Sequence, residues 1–279
     1  MKKCNPHNSC MGGNGNCLDV KITNRCNGHC AFCIERGGYA PEEGKVGDLI
    51  NSTIRMDENQ TVLILGGEPL LYPYLEEYLQ GIWPYKENIY LSTNGALLDR
   101  FQAAMLSKYL TGINVSLHAY NLELLHELTG IAYNAGSLYR AFKEFSRNQV
   151  PVRINCNLVK GGIDTTQAAM EMIAFAEKIG ANAIRFSELQ NAESLWVDAK
   201  TIFPILTDDP YTDGCEQALS LFSIPVTVKM TCGLVNRHKV PIIRESKPLY
   251  TTKVLYPNAD VYNGWLSPYS DGCHRVHRF

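Results

Sequence analysis

Cys26, Cys30 and Cys33 fall within eight residues of the stretch ITNRCNGHCAFCIERGG, residues 22–38. Thiolates at such density bind metal or carry redox chemistry. A structural zinc site takes four ligands and usually draws them from two separated pairs. Three contiguous cysteines instead leave one iron of a [4Fe–4S] cluster without a protein ligand, open to another group. The spacings of three and then two residues let a single loop wrap three corners of the cube. A zinc or redox loop can share this spacing, so the triad alone leaves those readings open.

The elements that must position the triad follow from hydrophobic rhythm. Leu18–Thr23 alternates like a strand and Thr61–Leu65 is a short run suited to a buried parallel strand. Further strands are expected at Asn88–Leu91, Ile113–Leu117, Val152–Leu158 and Ala183–Phe186. Helices are expected near Val46–Met56, Tyr74–Ile82, Leu97–Tyr109, Ser137–Arg147 and Thr165–Ile179, the last followed by Gly180 where a C-cap glycine sits. Six βα repeats argue for an α/β fold with a parallel sheet and helical crossovers. The cysteines then lie at the carboxyl end of the first strand, where sheets of this kind build their sites.

Other strand ends carry polar groups in step with the triad. The second strand runs into Gly66-Gly67-Glu68-Pro69, the third into Ser92-Thr93-Asn94-Gly95, and the fourth reads Asn114-Val115-Ser116-Leu117-His118. A tight turn explains the glycines but not Glu68, and Asn-Gly after a strand is a common turn signal. Together with CxxxCxxC and the aromatic Phe32 before its last cysteine, these segments resemble the radical S-adenosylmethionine (SAM) superfamily. Thr23-Asn24-Arg25-Cys26, Ser116-Leu117-His118, Val152-Arg153-Ile154-Asn155 with Gly161-Gly162, and Ile184-Arg185-Phe186-Ser187-Glu188 look most like the GTP cyclase group of molybdenum cofactor biosynthesis and its relatives.

The resemblance covers about residues 18–190 and implies a partial (βα)6 TIM-like barrel. It implies that Cys26, Cys30 and Cys33 hold a [4Fe–4S] cluster whose open iron chelates SAM. Reductive cleavage of SAM would then give a 5′-deoxyadenosyl radical that takes a hydrogen atom from a small-molecule, nucleotide or peptide substrate. Gly66, Gly67 and Glu68 would meet the SAM amino group, and Ser92, Asn94 and Ser116 its carboxylate and ribose. A low-potential electron donor of flavodoxin or ferredoxin type is implied as a partner. No acid–base or nucleophilic catalytic group stands out.

Strand alternation puts Arg153, Asn155 and Asn157 on one face of the fifth strand. Polar side chains facing a barrel interior are costly unless they meet a polar ligand, so they are placed in the SAM and substrate cavity. His118, Arg185 and Glu188 are further pocket candidates. The departure from the cyclase group is the tail. It lacks a second cysteine triad and carries Cys215, Cys232 and Cys273 widely apart, which puts GTP cyclisation in doubt. With Cys4, Cys10 and Cys17 they are candidates for an auxiliary Fe–S or zinc site, against the plainer reading of buried thiols as small hydrophobes. Two other readings stand beside the enzyme: an Fe–S redox sensor or metal-binding module without turnover, and a glycyl-radical activating enzyme.

The chain of 279 residues has a formal net charge of -2, which gives no electrostatic ground for binding nucleic acid non-specifically. No apolar run reaches membrane-spanning length and no secretory h-region follows Lys2 and Lys3, so a cytoplasmic protein is expected. Residues 1–16 read as a Cys/Gly/Asn-rich segment, 17–190 as the barrel, and 191–279 as an extension covering the substrate side. That extension has candidate antiparallel strands at Pro225–Met230, Pro241–Glu245 and Lys253–Tyr262, and a basic run from Arg237 to Lys247 that could receive an anion.

Overall fold

Short β-branched runs separated by amphipathic helices have one economical solution, a parallel sheet with its helices on one side. The computed structural model, which describes residues 17–35, 43–189, 192–206, 216–230 and 253–263, has that arrangement. Strands β1 (Cys17–Lys21), β2 (Thr61–Leu65), β3 (Asn88–Thr93), β4 (Gly112–Ser116), β5 (Val152–Leu158) and β6 (Ala183–Glu188) lie parallel in sequence order. Helices α1 (Val46–Arg55), α2 (Leu75–Ile82), α3 (Arg100–Leu106), α4 (Leu122–Thr129), α5 (Ala135–Arg147) and α6 (Thr166–Ile179) cross between them. The sheet does not close, in keeping with the partial barrel.

The two faces of the sheet differ in chemistry. Toward the helices point Leu18, Val20, Val62, Ile64, Ile113, Val115, Ile154 and Phe186, all fully buried in one continuous core. On the opposite, inner face, the amino ends of the strands are plugged by a small cluster of Cys17, Leu63 and Tyr90. Nearer the carboxyl ends the inner face becomes polar.

The tail does more than lie over the sheet. A four-residue helix α7 (Ala199–Ile202) follows β6, and the remaining strands join the sheet at both edges. On one side β8 (Val226–Lys229) pairs parallel with β6 and antiparallel with β7 (Glu216–Leu219). On the other, β9 (Lys253–Leu255) pairs parallel with β1 and antiparallel with β10 (Val261–Asn263). The Pro225–Met230 and Lys253–Tyr262 strands are therefore present, but each adds a parallel neighbour to the barrel as well as an antiparallel one. The long Leu97–Tyr109 helix reduces to the seven residues of α3. Helix α4, with an Asn121 cap and Gly130 in the left-handed region at its end, was not foreseen. The Pro241–Glu245 strand, the basic run 237–247, and Cys4, Cys10, Cys215, Cys232 and Cys273 lie outside the described residues.

Candidate functional site

The triad sits where β1 runs out, and backbone alone fixes the start of its loop. The amide of Gly67 donates to the Thr23 carbonyl at 2.8 Å and that of Glu68 to the Arg25 carbonyl at 2.7 Å. A Cβ on Gly66 would lie 2.5 Å from the Thr23 oxygen, and one on Gly67 would lie 2.1 Å from that of Arg25. The glycine pair is thus required because the cysteine loop itself packs against β2's exit.

Glu68 is fully buried. One carboxylate oxygen accepts from the Thr93 hydroxyl at 2.6 Å and the Leu70 amide at 3.0 Å, the other from the Asn94 amide at 2.7 Å. Burial pushes its carboxyl above the ordinary carboxylate range, and these three donors pull the other way. Asn94 carries the brace onward, its side-chain amide donating to Asn27 beside Cys26 at 2.7 Å. From the far side, the carbonyl of Thr129 at the end of α4 accepts from the His29 amide at 2.7 Å. The loop is therefore gripped from β2, β3 and α4 around its three thiols.

The thiols are partly exposed at this rim. Burial and the neighbouring thiols push Cys30 up to about 11, and burial raises Cys26. Such thiols stay protonated at neutral pH until a metal cation displaces the proton. Among the described residues no three His, Cys, Asp or Glu side chains converge on a single ion. A cluster that gives each thiolate its own iron does not ask for that convergence.

His118 stands next to the loop. It is buried, and its Nδ1 accepts from the Asn157 amide at 3.1 Å, so the neutral ring carries its proton on Nε2. Its ring meets Phe32 edge-on at 5.0 Å between centroids. Burial lowers its pKa to about 4, so it is uncharged at neutral pH. Phe32 in turn packs with Val159 and Leu189.

Below the rim, register assembles the polar inner face. Ser92, Asn114 and Arg153 are successive partners across β3, β4 and β5, and Ser116, Asn155 and Arg185 across β4, β5 and β6. Arg153 Nε donates to Asn114 Oδ1 at 3.0 Å. Arg185 lies 4.0 Å from Glu216. The buried Asn155 Oδ1 and Arg185 Nε have no hydrogen-bond partner. An orphaned acceptor and an orphaned donor on cross-strand partners of one face suit a polar ligand.

Arg153, Asn155, Asn157, Arg185, Ser92 and Ser116 are thus brought to one face. Glu188 is not. It has the opposite strand parity from Arg185, and its carboxylate accepts from the Ala199 amide at 2.7 Å at the start of α7. Sequence reading also missed Asn27 and Thr129, and gave Thr93 no role of its own within the Ser92–Gly95 segment. It missed Lys21 as well, whose fully buried ammonium pairs with Glu35 at 2.6 Å, two residues past Cys33. The charged Lys21 within an alternating strand and the Asn121–Gly130 helix signature were the available signals.

Comparison with known proteins fits this geometry. The sequence profile of the radical SAM superfamily matches residues 20–176. The chain is 30% identical over 208 residues to a probable GTP 3′,8-cyclase of Methanosarcina acetivorans, covering 68% of this chain and 61% of that one. It is 27% identical over 199 residues to the GTP 3′,8-cyclase of Aquifex aeolicus, covering 66% and 60%. The chain therefore spans well under two thirds of the length of these curated relatives. Its fold is shared with Streptococcus suis SuiB crystallised with S-adenosylmethionine, at a TM-score of 0.63 and 16% identity over 88% of this chain and 59% of that one. A radical SAM methyltransferase from Sphaerobacter thermophilus gives a TM-score of 0.58 at 17% identity, over 78% and 66%. With the cysteine loop, the strand-end motifs and the open parallel barrel in one place, the chain belongs to the radical SAM superfamily, enzymes that use a [4Fe–4S] cluster and S-adenosylmethionine.

Proposed function

We propose that Cys26, Cys30 and Cys33 hold the [4Fe–4S] cluster and that SAM occupies the polar inner face beneath them. The carrying observation is the brace: three thiols on one loop, held by backbone bonds to Gly67 and Glu68 and by Asn94 on Asn27. When bound and reduced, the cluster supplies one electron to the SAM sulfonium, giving methionine and a 5′-deoxyadenosyl radical able to take a hydrogen atom from substrate.

The chain's own residues hold and orient. A carboxylate offers about four acceptor positions, and Glu68 has three occupied, which leaves one for the SAM ammonium. Its larger task is to tie the ends of β2 and β3 together. Ser92, Ser116, Asn155 and Asn157 supply polar contacts to SAM, and Arg153 and Arg185 border the substrate. His118 and Phe32 close the loop's inner side and keep water out of the cluster's flank.

The substrate is a small molecule, nucleotide or peptide. The GTP cyclases share the barrel motifs, while the widely spaced tail cysteines of this chain disfavour GTP itself. A sensor without turnover has no use for matched polarity at five strand ends. Anaerobically reconstituted protein given SAM and dithionite is expected to bind about four irons per chain and to release 5′-deoxyadenosine. Cys30→Ala is expected to lose both. Retained iron and cleavage in that variant would overturn the assignment of the triad.

A further inference from the structure

One buried polar group beside the triad has no part in the site as described. Tyr133 lies in the connection between α4 and α5 and packs against the main core. Its hydroxyl is buried and makes no hydrogen bond. The Thr129 hydroxyl beside it is already engaged, donating to the Leu125 carbonyl at 2.6 Å and accepting from the Ile131 amide at 3.3 Å. A phenol with a spare donor in the interior has given up its bond to water for nothing. Such a group points to an acceptor that arrives with a ligand.

The end of α4 and the connection after it form the wall on which the cysteine loop rests. The His29 amide donates to the Thr129 carbonyl at 2.7 Å, and a Cβ on Gly28 would meet the Ile131 side chain at 2.8 Å. The Cys30 thiol faces the same wall, donating to the Thr129 carbonyl at 3.9 Å. Among the described residues, the ionisable groups whose charge acts on the Tyr133 phenol are Cys30 first, then Glu68 and Cys26. Burial is the main influence and raises the pKa of the phenol; the Thr129 hydroxyl lowers it, and those three charges raise it again. The phenol therefore keeps its proton at neutral pH and remains a donor. When Cys30 surrenders its own proton to iron, the Thr129 carbonyl faces a negative sulfur with no proton between them. A donor from the same wall relieves that repulsion.

We infer that the Tyr133 hydroxyl donates a hydrogen bond to the Cys30 sulfur of the loaded cluster. It is a positioning residue: it touches no substrate and acts through the thiolate. Donors to cluster sulfurs make reduction easier, because the reduced cluster carries one more negative charge for the donor to meet. The hydroxyl would thus bring the cluster within reach of its reductant, while the ring below it stays part of the core. The inference rests on the cluster assignment proposed above.

The test is Tyr133→Phe, which keeps the ring and removes only the hydroxyl. In the metal-free chain its urea midpoint is expected to be unchanged or higher, since the hydroxyl lost there is an unpaired one. In the iron-loaded protein without SAM, a redox titration followed by electron paramagnetic resonance is expected to find reduction about tenfold less favourable. For one electron that is a midpoint about 59 mV lower. Tyr139→Phe, which removes an exposed hydroxyl from α5, is expected to leave both measurements unchanged. The Kd for SAM is expected to stay within about twofold of the parent in both variants. An unchanged redox midpoint in Tyr133→Phe would overturn the inference. So would destabilisation of the metal-free variant, which would show that the hydroxyl already has a partner in the protein. A Kd for SAM raised about tenfold with the redox midpoint unchanged would also overturn it, assigning the hydroxyl to SAM. A chain that takes up no iron would remove the cluster assignment and this inference together. An unchanged midpoint in a variant that loads iron normally overturns the inference alone and leaves the assignment standing.

Discussion

Gly67 shows how little freedom one residue can have. Its missing Cβ would overlap the Arg25 carbonyl, which is backbone and cannot rotate away. Gly67→Ala must therefore separate the cysteine loop from β2. The expected cost is at least about 3 kcal/mol in urea unfolding, at the upper end for overpacked sites, and iron uptake is expected to fall with it. Gly47, whose added Cβ meets nothing, gives the matched control: in the first turn of α1, Gly47→Ala is expected to leave iron uptake unchanged and to raise stability by up to about 1 kcal/mol. At this scale the sequence was informative about residue types and less so about duties. The GGEP glycines and Glu68 were legible as special. That they clamp the thiol loop became visible only once Thr23, Arg25 and Thr93 were placed beside them. Glu188 was misplaced because a motif was carried over whole. Its own alternation with Arg185 puts the two on opposite faces.

Elements couple through single contacts. Glu188 joins β6 to α7 by accepting the first helical amide, as a capping side chain does. Glu188→Ala is expected to lower thermal stability by about 1–2 kcal/mol with SAM cleavage per loaded cluster unchanged. A selective loss of cleavage would return this residue to the pocket. The six parallel strands were readable because buried parallel strands are short apolar runs, and their helices because a long amphipathic period is hard to mistake. Helix α4 escaped because eight residues give barely two turns of pattern. The sheet's extra strands escaped because three or four residues give no period at all, and only pairing with β1 and β6 makes them strands.

The pH response belongs to the whole molecule. His118, neutral and buried, has a pKa of about 4 against an ordinary 6.5. Above pH 6.5 both folded and unfolded chains keep it uncharged, and it costs nothing. Between 6.5 and 4 the unfolded chain takes up the proton first, so stability falls as pH falls, by at most about 3 kcal/mol at the lower end. His118→Gln is expected to flatten that part of the stability-against-pH curve in denaturant titrations, whereas parallel curves for parent and variant would show that His118 titrates freely. The same fold-wide view explains what composition conveyed. Charge and apolar content gave the class of molecule, while the site depended on bringing residues 21, 68, 94, 118, 129 and 155 together from six separate elements.

Residue 18 pairs with residue 253. On a ribosome, β9 is made 235 residues after its β1 neighbour. At about 5–20 residues per second, the outer edge of β1 waits roughly 10–50 s for its partner. During that time an unpaired strand edge lies open immediately before a loop of three oxidisable thiols. The emerging chain is therefore vulnerable, to aggregation and to air alike, at the start of the candidate site.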